Sequence, residues 1–229
     1  MKTQLLIPAA GGGVRLGCQG PKALVDVAGT PLLVRTLWRF APLGLLDNAV
    51  IVFPSGWKDA FEAALAAAFP GTPFVCVEGG AERQVSVSHG LAALDPDTRL
   101  VVIHDAARPF VPAKAVSASC EAARASGAAT VAVPCSDTII EADEARFLVG
   151  TPDRTRLWAC QTPQTFQVDV IRQAYERAWC EGVVGTDDAT LVRRTGGNVR
   201  LVMGSPLNFK VTTPDDLALA ELLIKEGTV

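Results

Sequence analysis

The chain has 229 residues, 49% of them hydrophobic and 20% charged, with a formal net charge of −3 at neutral pH. That balance excludes intrinsic disorder, collagen and coiled coil, and one compact core can serve the whole length. A net negative charge supplies no global basic field for nucleic acid or an anionic membrane, so any anion site must be a local cluster of Lys and Arg.

In chain order, residues 4–8 read as a buried strand, followed by a glycine-rich loop. Thr30 and Pro31 read as an N-cap and first helical residue, opening a helix to about Phe40. Residues 49–53 form a second strand, and in 58–69 Phe61, Leu65 and Phe69 recur at steps of four, the period of one helix face. Strand 74–77, helix 83–94, strand 100–104, helix 114–125 and strand 128–133 follow. Short apolar runs joined through helices predict parallel βαβ units: an α/β, Rossmann-like fold with a mostly parallel twisted sheet flanked by helices. Ligands of such sheets bind beyond the carboxyl ends of the strands.

After Pro134 the rhythm changes. Residues 137–140 and 146–149 read as two strands around the polar segment 141–144, a β-hairpin inserted at about 136–158. Its role as lid, dimer arm or decoration stays open at this level. Helices over 168–181 and 186–194, a strand over 199–203 and a last helix capped by Thr213 and Pro214 complete the chain, which is read as a single domain over 1–229. The six cysteines stand at least 15 residues apart, and the only histidines are His89 and His104. Neither a zinc clip nor a disulfide scaffold is expected, and the thiols read as reduced, in a cytoplasmic protein with no membrane span.

Three motifs follow strands. Gly11, Gly12 and Gly13, with Arg15 close behind and Lys22 seven residues further on, give a tight turn, backbone N–H groups and two fixed cations suited to a phosphate chain. The dinucleotide fingerprint fails at Leu16, and the P-loop fails at Cys18 and Gln19. Asp105 and Arg108 follow the 100–104 strand; such an Asp can hold Mg²⁺ or a sugar hydroxyl, and the Arg can grip a phosphate. Gly79 and Gly80 with Ser86 could read the edge of a base. Arg154, Thr162, Thr186, Asp187, Asp188 and Lys210 are, taken singly, solvated polar side chains.

Together with Asp137-Thr138, Asp153-Arg154, Gln161-Thr162-Pro163-Gln164 and Asn208-Phe209-Lys210, these motifs resemble, in order and along the whole chain, the 2-C-methyl-D-erythritol 4-phosphate cytidylyltransferase family of sugar-phosphate nucleotidyltransferases. The resemblance implies a nucleotidyltransferase fold with a protruding β-hairpin arm. It implies a reaction of non-mevalonate isoprenoid biosynthesis, in which CTP and methylerythritol phosphate give the CDP-alcohol and pyrophosphate, with Mg²⁺ as cofactor. Arg15 and Lys22 then match the stabilisers of the pentacoordinate transition state, while Arg154 and Lys210 match the residues that position the sugar phosphate. Ala9, Ala10, Gly11, Gly12, Gly13, Gly80, Ser86 and Asp105 match the nucleotide site. Asp105, Arg108, Thr138, Thr162 and Thr186 match further substrate contacts, with Asp105 as the metal ligand. Thr138 and Arg154 would lie on an arm reaching into a neighbouring subunit, which implies a homodimer with shared sites.

Leu16, Ala23 and Ala81 depart from the family pattern, the last where an acidic residue is common. A second cytidylyltransferase, acting on ribitol 5-phosphate in teichoic acid synthesis, shares most of these motifs; Ala106 and Ala107 favour methylerythritol phosphate. A non-catalytic nucleotide sensor is the reading from a different class, and the presence of both Arg15 and Lys22 counts against it.

Overall fold

Leu5, Leu6 and Ile7 point alternately to the two faces of strand β1 (Thr3–Pro8), and all three are fully buried, so their sheet must be covered on both sides. The fold is described from a computed structural model for residues 1–13, 16, 17 and 20–227; Arg15 lies outside the described residues. Five further parallel strands join β1: β4 (Ala49–Phe53), β5 (Phe74–Glu78), β6 (Leu100–Ile103), β7 (Ala128–Pro134) and β11 (Val199–Met203). With β10 (Trp158–Gln167) they form a seven-stranded sheet in the order β11-β7-β10-β6-β1-β4-β5.

Period-two burial decides which helices cover which face. Leu5, Ile7, Ile51 and Val102 meet α1 (Leu32–Trp38), α2 (Lys58–Ala68) and α4 (Ala113–Ser126) through Leu33, Leu37, Phe61, Leu65 and Val116. Leu6, Val50, Val101 and Ile103 meet α3 (Arg83–Ala92), α5 (Val168–Cys180) and α6 (Asp188–Arg194) through Val87, Leu91, Ile171, Tyr175 and Leu191. A final helix, α7 (Pro214–Lys225), carries the expected cap: Thr213 accepts from the Asp216 amide and the Asp216 side chain accepts in return, a reciprocal capping box.

Three expectations need correction. Thr30 is not the N-cap of α1 and Pro31 is not its first helical residue; they form β3 (Thr30–Pro31), paired with β2 (Asp26–Val27) in a two-stranded ribbon, and Pro31 stands at the N-cap position with no side-chain bond. The hairpin pairs β8 (Glu141–Ala142) with β9 (Leu148–Gly150), so residues 137–140 are not its first strand. Its turn is set locally. Arg146 has φ +67, its amide donates to the Asp143 carbonyl at 3.0 Å, and the Asp143 side chain accepts from Phe147 N–H at 2.9 Å, so pairing starts next to 143–146.

The third correction is β10, which the sequence pattern did not mark as a strand because Pro163 interrupts it. The sheet accommodates the proline with a register irregularity against β7 between Cys160 and Gln164. Because β10 runs antiparallel to β6 and β7, its first half lies at the same sheet edge as the carboxyl ends of the parallel strands.

Candidate active site

The first crossover leads from β1 to β4 on one side, and β6 joins β1 on the other. The carboxyl ends of β1 and β6 therefore flank the switch point where an open α/β sheet splits into a crevice. Into that crevice the glycine loop folds back on itself. The Lys22 amide donates to the Gly11 carbonyl at 3.2 Å, and Gly13 adopts φ +65 with its Cα so placed that a Cβ would stand 3.3 Å from the Lys22 Cα. Lys22 thereby lines a cleft together with Ala9, Ala10 and Gly11.

The facing wall is the turn from β5 into α3. A Cβ on Gly79 would stand 2.7 Å from both Ala10 Cβ and Ser86 Oγ, so only glycine lets the two loops meet. Ser86 was expected to read a base. Its hydroxyl accepts from the Gly80 amide at 3.1 Å and lies 3.4 Å from the Gly80 carbonyl, so it holds the turn that lines the cleft. A Cβ on Gly80 would overlap Val85, Cβ included, and the turn would have to shift. Gly80→Ala should therefore weaken binding of the nucleotide expected in this cleft about tenfold by displacing this wall, a change that equilibrium titration reads directly.

Asp105 follows β6 and gathers the cations. Its Oδ2 is 3.0 Å from Lys210 Nζ and 3.2 Å from Arg108 Nε, and its Oδ1 is 4.0 Å from Arg83 Nε. Burial alone would raise its pKa, but Lys210, Arg83 and Arg108 outweigh burial and hold the carboxyl well below the usual carboxylate range. The segment carrying Lys210 is pinned from behind. Buried Asn208 donates from Nδ2 to the Thr162 carbonyl at 2.9 Å and to Gln161 Oε1 at 3.1 Å, its own carbonyl accepts from Arg108 Nη1 at 2.8 Å, and Val211 N–H reaches the Ala107 carbonyl at 2.9 Å.

Beneath Asp105, His104 Nε2 lies 3.0 Å from the Arg108 carbonyl and so carries the proton. Nδ1 is left to accept from the Thr162 hydroxyl at 3.0 Å, and that hydroxyl in turn accepts from the Asp105 amide at 3.0 Å. Thr162, expected to touch substrate, has its hydroxyl engaged within the protein and fixes the Asp105 backbone. Burial pushes His104 down to about 4. Below the ordinary value near 6.5 the unfolded chain takes up a proton that the folded chain refuses. The stability from this group is thus full above about 6.5 and is lost, by about 3 kcal/mol, as pH falls to about 4. Urea unfolding of wild type and His104→Gln across this range should show the extra slope in the wild type alone.

Asp188, read from sequence as a solvated side chain, is fully buried. Its carboxylate accepts from Arg83 Nη1 at 3.0 Å, from Arg83 Nη2 at 2.7 Å and from Tyr175 OH at 2.6 Å. Burial would lower the Arg83 pKa, and Asp188 reverses that and keeps the guanidinium charged. Gln164 locks the start of α6 by accepting from the Asp188 and Ala189 amides at 3.1 and 3.0 Å while donating to Asp187 Oδ2 at 2.9 Å.

A second cleft adjoins the first and is lined by Arg108, Thr162, Gln164, Thr186 and Asp187, with Arg83, Asp105 and Lys210 shared between the two. The structure thus brings together Ala9, Ala10, Gly11, Lys22, Gly80, Ser86, Asp105, Arg108, Thr162, Thr186 and Lys210. Gly12 and Gly13 belong to the same glycine loop but do not line the first cleft. Thr138 and Arg154 line neither cleft; both are exposed, and Arg154 Nη1 donates to the Ser136 carbonyl at 3.0 Å. Arg83, Gln164 and Asp188 were not singled out from sequence as site residues, although the Thr186-Asp187-Asp188 run marked the place.

Magnesium was expected on Asp105, whose carboxylate is held here by Lys210 and Arg108 with Arg83 beside it. A divalent ion at that carboxylate would meet Lys210, Arg108 and Arg83, and among the described residues no cluster of three or more His, Cys, Asp or Glu is arranged for a metal.

The family model for IspD, 2-C-methyl-D-erythritol 4-phosphate cytidylyltransferase, matches residues 3–226. The chain belongs to that family. A 2-C-methyl-D-erythritol 4-phosphate cytidylyltransferase from Deinococcus radiodurans is 47% identical over 97% of this chain and 89% of its own length. The Symbiobacterium thermophilum enzyme of the same name is 45% identical over 97% of this chain and 92% of its own length. Among solved structures, the cytidylyltransferase of Thermus thermophilus superposes with a TM-score of 0.81 at 37% identity, covering 98% of this chain and all of that one. The 4-diphosphocytidyl-2C-methyl-D-erythritol synthase of Anaerococcus prevotii reaches a TM-score of 0.85 at 28% identity, with 97% and 98% covered. The expected fold, a mostly parallel α/β nucleotidyltransferase sheet, is therefore that of the cytidylyltransferase family. No described helix is long and apolar enough to cross a membrane.

Proposed function

We infer that the protein transfers CMP from CTP to 2-C-methyl-D-erythritol 4-phosphate, releasing pyrophosphate, in non-mevalonate isoprenoid biosynthesis. The observation that carries this reading is a member of the cytidylyltransferase family in which the glycine loop and Lys22 face the Asp105, Arg108 and Lys210 cluster across the ends of β1 and β6. In the reaction, a phosphate oxygen of the sugar phosphate bonds to the α-phosphorus of CTP. The bond from that phosphorus to the β-phosphate bridging oxygen breaks, and its electron pair leaves with pyrophosphate.

Each chain residue has a task in that step. Lys22, with Arg15, meets the charge that grows on the α-phosphate. Lys210 and Arg108 hold the attacking phosphate, which two anions approaching each other require. Asp105 keeps both cations aimed. Magnesium, on this reading, enters as part of the CTP complex and belongs to the substrate. Thr138 and Arg154 serve the site of a second copy, making the enzyme a homodimer. Their exposure and the apolar surface of the arm, with Phe147 71% and Leu148 63% exposed, support that arrangement. Five free thiols among the described residues support a reducing, cytoplasmic setting.

The test is pyrophosphate release with CTP and magnesium, comparing methylerythritol 4-phosphate with ribitol 5-phosphate. Release with the first alone is expected. A preference for ribitol phosphate would move the acceptor, and silence with both alongside CTP binding would return the sensor reading.

A further inference from the structure

Arg83 stands between two carboxylates and two clefts. On one side Asp188 takes both of its terminal nitrogens at 2.7 and 3.0 Å, and on the other its Nε is 4.0 Å from Asp105. Its side chain remains 32% exposed and lines both clefts, whereas Asp188 has no exposure at all. An ion pair that only stabilised the fold would have no need to present its guanidinium to the place where two substrates meet. Asp105 has a limited set of acceptor sites, and two cations already share its Oδ2. If Arg83 were released it would turn to the nearest remaining carboxylate, which is Asp105, and compete with Lys210 there.

We propose that Asp188, braced by the Tyr175 hydroxyl, is a positioning residue that keeps Arg83 at the 4.0 Å margin of Asp105 Oδ1 and so leaves Asp105 Oδ2 to aim Lys210 at the sugar phosphate. Asp188 touches neither substrate in this role and acts through Arg83. Gln164 sets its place by fixing the Asp188 and Ala189 amides, which explains why a residue from β10 is tied to the start of α6. The inference rests on the cytidylyl-transfer reading for the identity of the acceptor, and the geometry that carries it is independent of which sugar phosphate is used.

The experiment is a double-variant cycle with Asp188→Asn, Arg83→Gln and the pair combined, each checked for folding by circular dichroism and thermal melting. In the wild-type background Asp188→Asn should lower kcat/KM for the sugar phosphate about 100-fold, with the KM for CTP moving less than about threefold. In the Arg83→Gln background the same change should cost less than about threefold, because no stranded guanidinium remains to disturb Asp105. Losses that multiply across the two backgrounds overturn the proposal. So does a folded Asp188→Asn enzyme whose only defect is a lower melting temperature. Should Asp188→Asn fail to fold, Tyr175→Phe removes one bond and no charge. It should lower kcat/KM about threefold to tenfold, and only while Arg83 is present; an equal loss without Arg83, or none with it, overturns the proposal. Wild-type turnover with a different sugar phosphate would refute the acceptor assignment alone, since the variant ratios with that acceptor still decide the role of Asp188. An enzyme that turns over no sugar phosphate at all overturns both.

Discussion

Lys22→Ala should lower kcat by about 100- to 1000-fold while CTP affinity stays within about tenfold of wild type. The split follows from where the charge appears. On the proposed reading, CTP binds beside the backbone amides of the glycine loop, so losing one cation removes a fraction of its ground-state hold. In the transition state a second phosphate arrives and negative charge accumulates on the α-phosphate, next to the wall that Lys22 shares with Ala9, Ala10 and Gly11. A fixed cation in that place acts mainly on the barrier. Steady-state kcat set against a CTP dissociation constant separates the two effects. Equal losses in both would assign Lys22 to ground-state binding, and a kcat within about threefold of wild type would remove it from the machinery.

Asp105→Asn should cut kcat about 100-fold through misplacement of Lys210 and Arg108. Two effects oppose each other here. Neutralising the carboxylate makes the cleft more positive and favours an anionic substrate, while the cations it aims lose their anchor. The first governs binding and the second governs geometry, so the KM for the sugar phosphate should stay level or fall as kcat drops. A rise in KM with kcat preserved would show that the cluster binds and does not orient. The stability loss should be about 2 kcal/mol, smaller than for a fully enclosed pair because Lys210 is 38% exposed and water takes up part of its charge. With its pKa held below the carboxylate range, the Asp105 contribution is complete above the unfolded value of about 3.9 and is lost only as pH falls below it. Wild type and variant should therefore converge in stability in acid.

Local pattern carried much of the fold. Strand 49–53 coincides with β4, every residue of which is buried, because an apolar run bounded by turn residues has few other ways to bury itself, and strand 199–203 coincides with β11. The capping of α7 was equally legible, since Thr213 and Asp216 interact within one turn. The glycine loop, Lys22, Asp105 and Arg108 could be picked out because each stands at or just after a strand end, and such positions are set by a few neighbouring residues, whereas Lys210 was reached only through the family resemblance.

What local pattern missed depends on partners distant in sequence. Pro163 argues against a strand when read alone, yet β10 forms because β6 and β7 supply its hydrogen bonds on both sides and a register irregularity absorbs the proline. Asp188 reads as a surface acid until Arg83, 105 residues earlier, and Tyr175, 13 residues earlier, enclose it. Thr162 reads, taken singly, as a solvated side chain until His104 and the Asp105 amide take its hydroxyl. Sequence by itself determined the elements, the sheet class and the chemistry gathered at the strand ends, because these follow from short-range sterics and burial. Only the tertiary structure decided which acids meet which cations, because a carboxylate's role is set by the charges and the water around it, and those come from the whole fold.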